Sequence, residues 1–569
     1  MGGTSKGACW ARPRRAGRHS HGSTGSQGST KRRARVITSA ALCATALSVS
    51  AAVPVSTAFA TASPANPFPS CGPAPAPGTT IDVAVGAVAC QELTTHLLGD
   101  GVAAPFEYYV PPQCAPARSV RCPTVYLLHG FGGDYTEMLG KPGTTSSAWI
   151  AAETSQPPPG FEADPWNYQD PSTWTKAPAL GMILVAPLGQ TLPGGYGPHA
   201  GMDSYWVNWN PRYALGGDDQ RYDTPPPQFE SFFLDELVPF VEDNLPAGTG
   251  RDYRAIAGVS LGGYGAFELG LEHPDEWTTM EAVSGAFNFL FAPAPQPGYV
   301  TSPVGVQPPV PIAYEQLPSA TGPATSAPLP SQVGTFTTAL DAFGDPVADQ
   351  AYFRGNMPTD LAMNAQATAS GGQSLGIDFF SNDMVPMQTL TGDTGALGND
   401  VSSEPFENIV FPMNLDMVTA FDEEGVSSTY ALHQGNHQDS YRNAWFRGLE
   451  EYAYSRLLHA GGGGNPPPAP QVFDYRSIST AFSIWGWQFR VDRQPVEFLT
   501  LRSVSCRGLT LQGTGLVTVK VPGPCHTGLA GKALFTVDLG PSEATSDPAG
   551  LGADPAYGRT VTVTLAPLH

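Results

Sequence analysis

Between Phe106 and Leu458 the chain alternates short apolar runs with longer amphipathic ones. The runs "FEYYV", "TVYLL", "MILVAP", "YRAIAG", "MEAVSG", "LGIDFF" and "STYAL" are apolar at successive positions rather than at every second one, the pattern of strands covered on both faces. Between them, "ESFFLDELVPFVEDNLP" carries the three-to-four spacing of a covering helix, and "LGGYGAFELGLEHP" reads as a second helix that stops before Pro274. Near the end of this region Ala444, Trp445, Leu449, Tyr452, Ala453 and Leu457 mark one buried face of a helix in "DSYRNAWFRGLEEYAYSRLL". Strands alternating with helices predict an α/β fold, a mainly parallel sheet with helices on both faces. Beyond Pro470 the period changes: "FSIWGWQFRV", "GLVTVKV" and "RTVTVTLAP" alternate or are β-branched, predicting a small all-β, sandwich-like C-terminal domain.

The joint is visible as "GGGGNPPPAP", a glycine run followed by a proline run, which reads as a linker over 461–470. The predicted organisation is a signal peptide (1–60), an N-terminal extension (61–104), the α/β domain (105–460), this linker, and the β-rich domain (471–569). Eleven prolines between Ala292 and Pro330 break all periodicity and predict an irregular insertion there. At the N-terminus, nine Lys or Arg and no acid precede the apolar stretch "VITSAALCATALSVSAAVPVSTAFA", ending at Ala60; this is a secretory signal with a long basic region, and a secreted, extracellular protein is expected. Removing it takes nine of 29 basic residues and leaves 20 against 50 acidic ones, which disfavours nucleic acid and anionic membrane surfaces as partners. After signal removal no stable membrane span is expected. Six of eight cysteines remain: Cys71, Cys90, Cys114, Cys122, Cys506 and Cys525. An even number in an exported chain favours disulfides, and pairing of sequence neighbours (71–90, 114–122, 506–525) is expected. No Cys-x-x-Cys spacing suggests a structural zinc, and no cofactor is expected.

Beyond the signal, Gly-x-Ser-x-Gly occurs twice, at Ser260 in "GVSLGG" and Ser374 in "GQSLGI". A nucleophilic serine needs a sharp strand-to-helix turn that pushes Oγ into the open, and only Ser260 has a strand before it and a helix after it. Ser374 has the reverse order and is read as a turn. The base expected for Ser260 is His437, in "HQGNHQD" after the strand "STYAL", with Gly435 leaving room for a close approach; His433 is the competitor. A metal site of His433, His437 and Asp439 is disfavoured because a Gly-Asn pair interrupts the helix that such spacing needs. The oxyanion hole is expected from the amides of Leu261 and Phe131, the latter in the glycine-rich loop of "YLLHGFGG", where His129 is read as a loop-holding hydrogen-bonding group. The acid belongs after the next-to-last strand. Asp383 fits that place, Asp400 is the main alternative, and Asp393 or a glutamate such as Glu404 stays open; Asp378 lies inside the strand and is read as a sheet residue.

Taken in order, "PTVYLLHGFGGDYTEM", "MILVAPLGQ", "ESFFLDELVPFVEDNLP", "AIAGVSLGGYGAFELGLEHPDEW", "PTDLAMN" and "GNHQDSYRNAWFRGLEEY" resemble the putative esterases of the α/β-hydrolase fold, the branch of esterase D, S-formylglutathione hydrolases, feruloyl esterases and the antigen 85 mycolyltransferases. The resemblance implies acyl transfer through an acyl-enzyme on a Ser-His-Asp triad, with a small-molecule or glycolipid ester as substrate and water or a sugar hydroxyl as acceptor. It departs from the mycolyltransferases, whose loop before the histidine helix commonly reads Gly-x-His-Ser-Trp, where this chain has "GNHQDSYRNAW" and Trp445 displaced. The expected activity is a secreted serine carboxylic-ester hydrolase, with a mycolyltransferase-like acyltransferase and a non-catalytic cell-wall or binding protein as rivals. Polysaccharide is a further partner to consider, through Trp485 or Trp487, although a core role for both is the simpler expectation.

Overall fold

The computed structural model describes residues 71, 82–99, 101–116, 120–131, 133–139, 181–190, 204–211, 226–289, 342–344, 349–366, 373–382, 397–433, 437, 450–459, 463–523, 525, 534–542 and 557–565. The signal, the proline-rich segment 292–330, Asp383, Asp393 and Asp439 lie outside the described residues.

Eight strands form one mixed sheet: β1 (Val88–Thr95), β2 (Val102–Tyr109), β3 (Thr124–Leu128), β4 (Ile183–Pro187), β5 (Arg254–Val259), β6 (Thr279–Val283), β7 (Gly376–Asn382) and β8 (Thr429–His433). Their spatial order is β1-β2-β4-β3-β5-β6-β7-β8. The contacts β1–β2 and β2–β4 are antiparallel, and every later one is parallel. β1, within the segment read as an extension, is thus the sheet's first edge. The continuous apolar runs are explained by the two faces: Val125, Leu127, Leu184, Ala255 and Ala257 enter one core with Leu139 and Ala453, whereas Tyr126, Leu128, Val185 and Ile256 enter the other with Phe233, Leu269 and Phe421. Helices therefore cover both sides, as the sequence pattern predicts. One covering helix, Phe229 to Asn244, contains Pro239, which has no N–H to donate, and the turn before it, Phe232–Leu237, is wound as π-helix.

The C-terminal region builds two four-stranded antiparallel sheets from β9 (Phe473–Ser477), β10 (Ala481–Ile484), β11 (Trp487–Asp492), β12 (Leu499–Ser505), β13 (Gly508–Gly513), β14 (Leu516–Lys520), β15 (Leu534–Asp538) and β16 (Arg559–Thr564). Strict alternation of burial along β11 and β13 puts one face of each in a shared core with Leu501, Val519 and Leu539. Trp487 belongs to that core at 3 % exposure. Trp485 sits with Gly486 at the tip of the β10–β11 hairpin, both with positive φ (51° and 79°), the backbone of a primed two-residue turn. Its N–H donates to Asp275 Oδ2 (2.8 Å), and its ring lies 5.3 Å from the Arg251 guanidinium. Trp485 is half-buried against the edge of the same core. β9 also bonds to the α/β body, Tyr475 Oη donating to Glu272 O at 2.8 Å and Arg476 N to Asn364 Oδ1 at 2.7 Å.

Cys71–Cys90, Cys114–Cys122 and Cys506–Cys525 are joined, each to its sequence neighbour. A different buried group sets a pH dependence. Glu107 on β2 is fully buried with neither carboxyl oxygen hydrogen-bonded among the described residues; burial, and then the charge of Asp134, push its pKa up to about 9. A raised acid keeps in the folded state a proton that the unfolded chain releases, so its contribution to stability falls as pH rises from about 4.5 toward 9, by at most about 1.4 kcal/mol per unit. Glu107→Gln should flatten the fall in urea midpoint between pH 5.5 and pH 8; equal slopes in both chains would show that Glu107 does not titrate there.

Candidate active site

At the end of β5 the chain turns through Ser260 (φ 57°, ψ −117°) straight into the helix Leu261–Glu272. Glycines make that turn possible. A Cβ on Gly258 would lie 2.0 Å from Gly262 O, and one on Gly262 would lie 2.0 Å from Leu128 O and 2.5 Å from His129 O. Strand, nucleophile helix and the loop after β3 therefore touch backbone to backbone, which brings the Phe131 loop beside the first turn of the helix, where Leu261, Gly262 and Gly263 have N–H groups without helical acceptors. These are the surroundings expected of an oxyanion hole formed by Phe131 and Leu261. His129 holds the loop: its Nδ1–H donates to Gly130 O (2.9 Å) and its Nε2 accepts from Gly189 N (2.8 Å). That second bond requires a neutral ring, and burial accordingly lowers its pKa to about 4. Gly262→Ala should force the β3 loop away from the helix and cut kcat/KM by about 100-fold or more, since ångström displacements at such sites have effects of that order; wild-type kinetics would show that the two backbones can separate at no cost.

The parallel strands deliver the other groups to the same edge. Ser260 N donates to Val283 O at the end of β6 (2.8 Å), and Ser284 N to Phe380 O of β7 (2.8 Å). Ser260 Oγ lies 2.9 Å from His437 Nε2, and His437 Nδ1 lies 2.7 Å from Glu407 Oε2. The other oxygen of Glu407 accepts from Ser284 Oγ (2.9 Å) and Asn382 N (2.8 Å). The carboxylate side chain is fully inaccessible and that of His437 is 9 % exposed. A carboxylate with two neutral donors and one imidazole N–H fixes the ring's tautomer, presenting the Nε2 lone pair to the serine hydroxyl.

The sequence-derived candidates separate accordingly. Ser260 and His437 come together. His433, the competing base, ends β8 and packs its ring edge-on against Phe380 at 4.8 Å. Ser374 is buried just before β7, at the opposite edge of the sheet, where its carbonyl accepts from Arg251. The carboxylate facing His437 is Glu407, which is not among the residues named from the sequence; Asp383 and Asp393 lie outside the described residues. Asp400 and Glu404 lie on the helix Leu397–Glu424, about two turns and about one turn before Glu407. That helix contains Pro405 and Pro412 in its interior, residues that remove backbone donors and normally end a helix. A signal was nonetheless present: Glu407, Val410, Asn414, Met417 and Phe421 recur at spacings of three and four and are all buried, so a lone carboxylate stands in an otherwise helical core stripe.

Beside the nucleophile, Tyr205, Leu261, Tyr264, Phe289, Phe343, Phe353 and Met357 pack as one cluster. Phe289 precedes the proline-rich segment and Phe343 follows it, so the two flanks of that segment are anchored 5.8 Å apart, ring to ring, next to Ser260.

Comparison with solved structures gives a ferulic acid esterase at 16% identity, covering 64% of this chain and 96% of that one with a TM-score of 0.34. An S-formylglutathione hydrolase from Agrobacterium tumefaciens matches at 14% identity, 65% and 96% coverage and a TM-score of 0.35. MPT51 from Mycobacterium tuberculosis matches at 14% identity, 60% and 88% coverage and a TM-score of 0.30. Glu407 and His437 lie beyond the stretch that a family model matches. Over residues 199–331, which hold β5, Ser260 and the helix behind it, the chain matches the putative esterase family, the family that its motifs resemble.

Proposed function

We propose that this chain is a secreted serine esterase that cleaves carboxylic esters through an acyl-enzyme on Ser260. The observation that carries the reading is the unbroken relay of 2.9 Å from Ser260 Oγ to His437 Nε2 and 2.7 Å from His437 Nδ1 to Glu407. In the first half-reaction His437 Nε2 takes the Ser260 proton as Oγ attacks the ester carbonyl. The amides of Leu261 and Phe131 receive the developing oxyanion. Glu407, held by Ser284 and Asn382, stabilises the imidazolium, which then returns its proton to the leaving alcohol. Water repeats the sequence on the acyl-enzyme with His437 again as base. The putative esterase match across the nucleophile supports the reaction class. Three disulfides and the basic-then-apolar leader support export to an oxidising compartment, and among the described residues no helix is long and apolar enough to cross a membrane.

An alkyl fluorophosphonate, whose phosphorus is attacked by an activated serine, should label the mature chain once, with the adduct at Ser260 by peptide mass spectrometry. Labelling at Ser374, or none with folded protein, would remove the esterase reading.

A further inference from the structure

The helix that starts at Ser260 ends at Glu272 with His273 as its cap. Its 12 residues span about 18 Å, so its far end is remote from the reacting hydroxyl. There Glu272 and His273 meet Glu230 of the helix that starts at Phe229, and one donor atom from each lies within 4.8 Å of the other two. His273 Nε2 and Glu230 Oε1 are 2.8 Å apart. Glu268, one turn earlier on the same helical face as Glu272, is 0 % exposed, and neither of its carboxyl oxygens has a hydrogen-bond donor among the described residues. Its charged neighbours are Glu272 and Glu230, and burial, then the charges of these two carboxylates, hold its own carboxyl well above the usual carboxylate range. Among the described residues no arginine or lysine pairs with any of these three glutamates. The carbonyl end of a helix adds further negative potential at this place.

We propose that Glu230, Glu272 and His273, backed by Glu268, bind a divalent transition cation, Zn²⁺ or Mn²⁺. Ligands about 2.1 Å from a metal stand about 3.0 Å apart at a right angle and about 4.2 Å apart across it. His273 Nε2 and Glu230 Oε1 stand 2.8 Å apart, and one donor atom from each of the three residues lies within 4.8 Å of the other two, close to the spread that one ion spans. One imidazole with carboxylates suits these ions better than calcium, which takes oxygen alone. His273 binds through the Nε2 lone pair, giving its proton to solvent and exchanging the Glu230 hydrogen bond for a shared metal. The ion ties the nucleophile helix to the covering helix under β9, whose Tyr475 Oη holds Glu272 O at 2.8 Å.

The test uses the full mature chain, stripped with chelator and dialysed against Zn²⁺ or Mn²⁺, with bound metal counted by mass spectrometry and unfolding followed by heat. About one ion per chain and a raised Tm are expected. His273→Asn and Glu272→Gln should each lose at least about tenfold in affinity, while Ser260→Ala, whatever its activity, should bind as wild type does. Only traces of either ion on folded wild-type protein, or undiminished binding by both ligand variants, would overturn the site. Neither result touches the esterase reading.

Discussion

Replacing Ser260 by alanine is expected to slow turnover of a chromogenic acetate ester by roughly 10⁵- to 10⁶-fold, the scale on which a triad serine acts as a unit with its base. The substitution removes one atom and one 2.9 Å contact to His437, leaving β5, the helix and the strained backbone at Ser260 as they are. Thermal unfolding should therefore hardly move, which separates lost chemistry from lost fold. A small residue of activity above water is expected from the amides of Leu261 and Phe131, because electrostatic stabilisation of the oxyanion survives the loss of the nucleophile. Ser374→Ala, at the other edge of the sheet, should retain wild-type kcat. Should Ser260→Ala keep more than about one part in 100 of the wild-type rate on the same ester, another group attacks the carbonyl and the proposed relay has no role.

The elements easiest to see in the sequence are those whose environment is uniform. β3, β4, β5 and β6 are buried along their whole length, so unbroken apolar runs identified them without any need for alternation. Ser260 was legible for a related reason: the sharp turn admits only glycine at Gly258 and Gly262, and that steric demand is written into the motif. β1 was missed because it is an edge strand with four consecutive half-buried residues, and "VACQELTT" carries no clean period. The acid was missed for a different reason. Pro405 and Pro412 supply no backbone donor, yet packing of Val410, Met413, Met417 and Phe421 against the body outweighs two missing donors and keeps a helix of 28 residues. Tertiary burial overrode propensity, and the catalytic candidate travelled with the helix.

Glu407→Gln is the second large effect, an expected fall in kcat of about 10⁴-fold. The amide has nearly the same shape as the carboxylate but brings a donor into a place that now holds only acceptors. Glu407 receives Ser284 Oγ, Asn382 N and His437 Nδ1, three donors converging on two oxygens. A glutamine can keep the Asn382 and Ser284 bonds only by turning its NH₂ toward the imidazole, which then must carry its proton on Nε2 and cannot accept from Ser260. If it turns the other way, a buried N–H faces the Asn382 amide and the loss appears as stability instead. Either way the imidazolium formed during attack has no negative charge beside it. KM should change little, because the Glu407 side chain is wholly inaccessible and has no path to bound ester. Asp383→Asn and Asp400→Asn are the decisive companions: with Glu407 as the acid, both should stay within a few-fold of wild type. A collapse of kcat in either of them, with Glu407→Gln near normal, would move the acid to the aspartates that sequence reasoning favoured and reduce Glu407 to a buried strut between β7 and its helix.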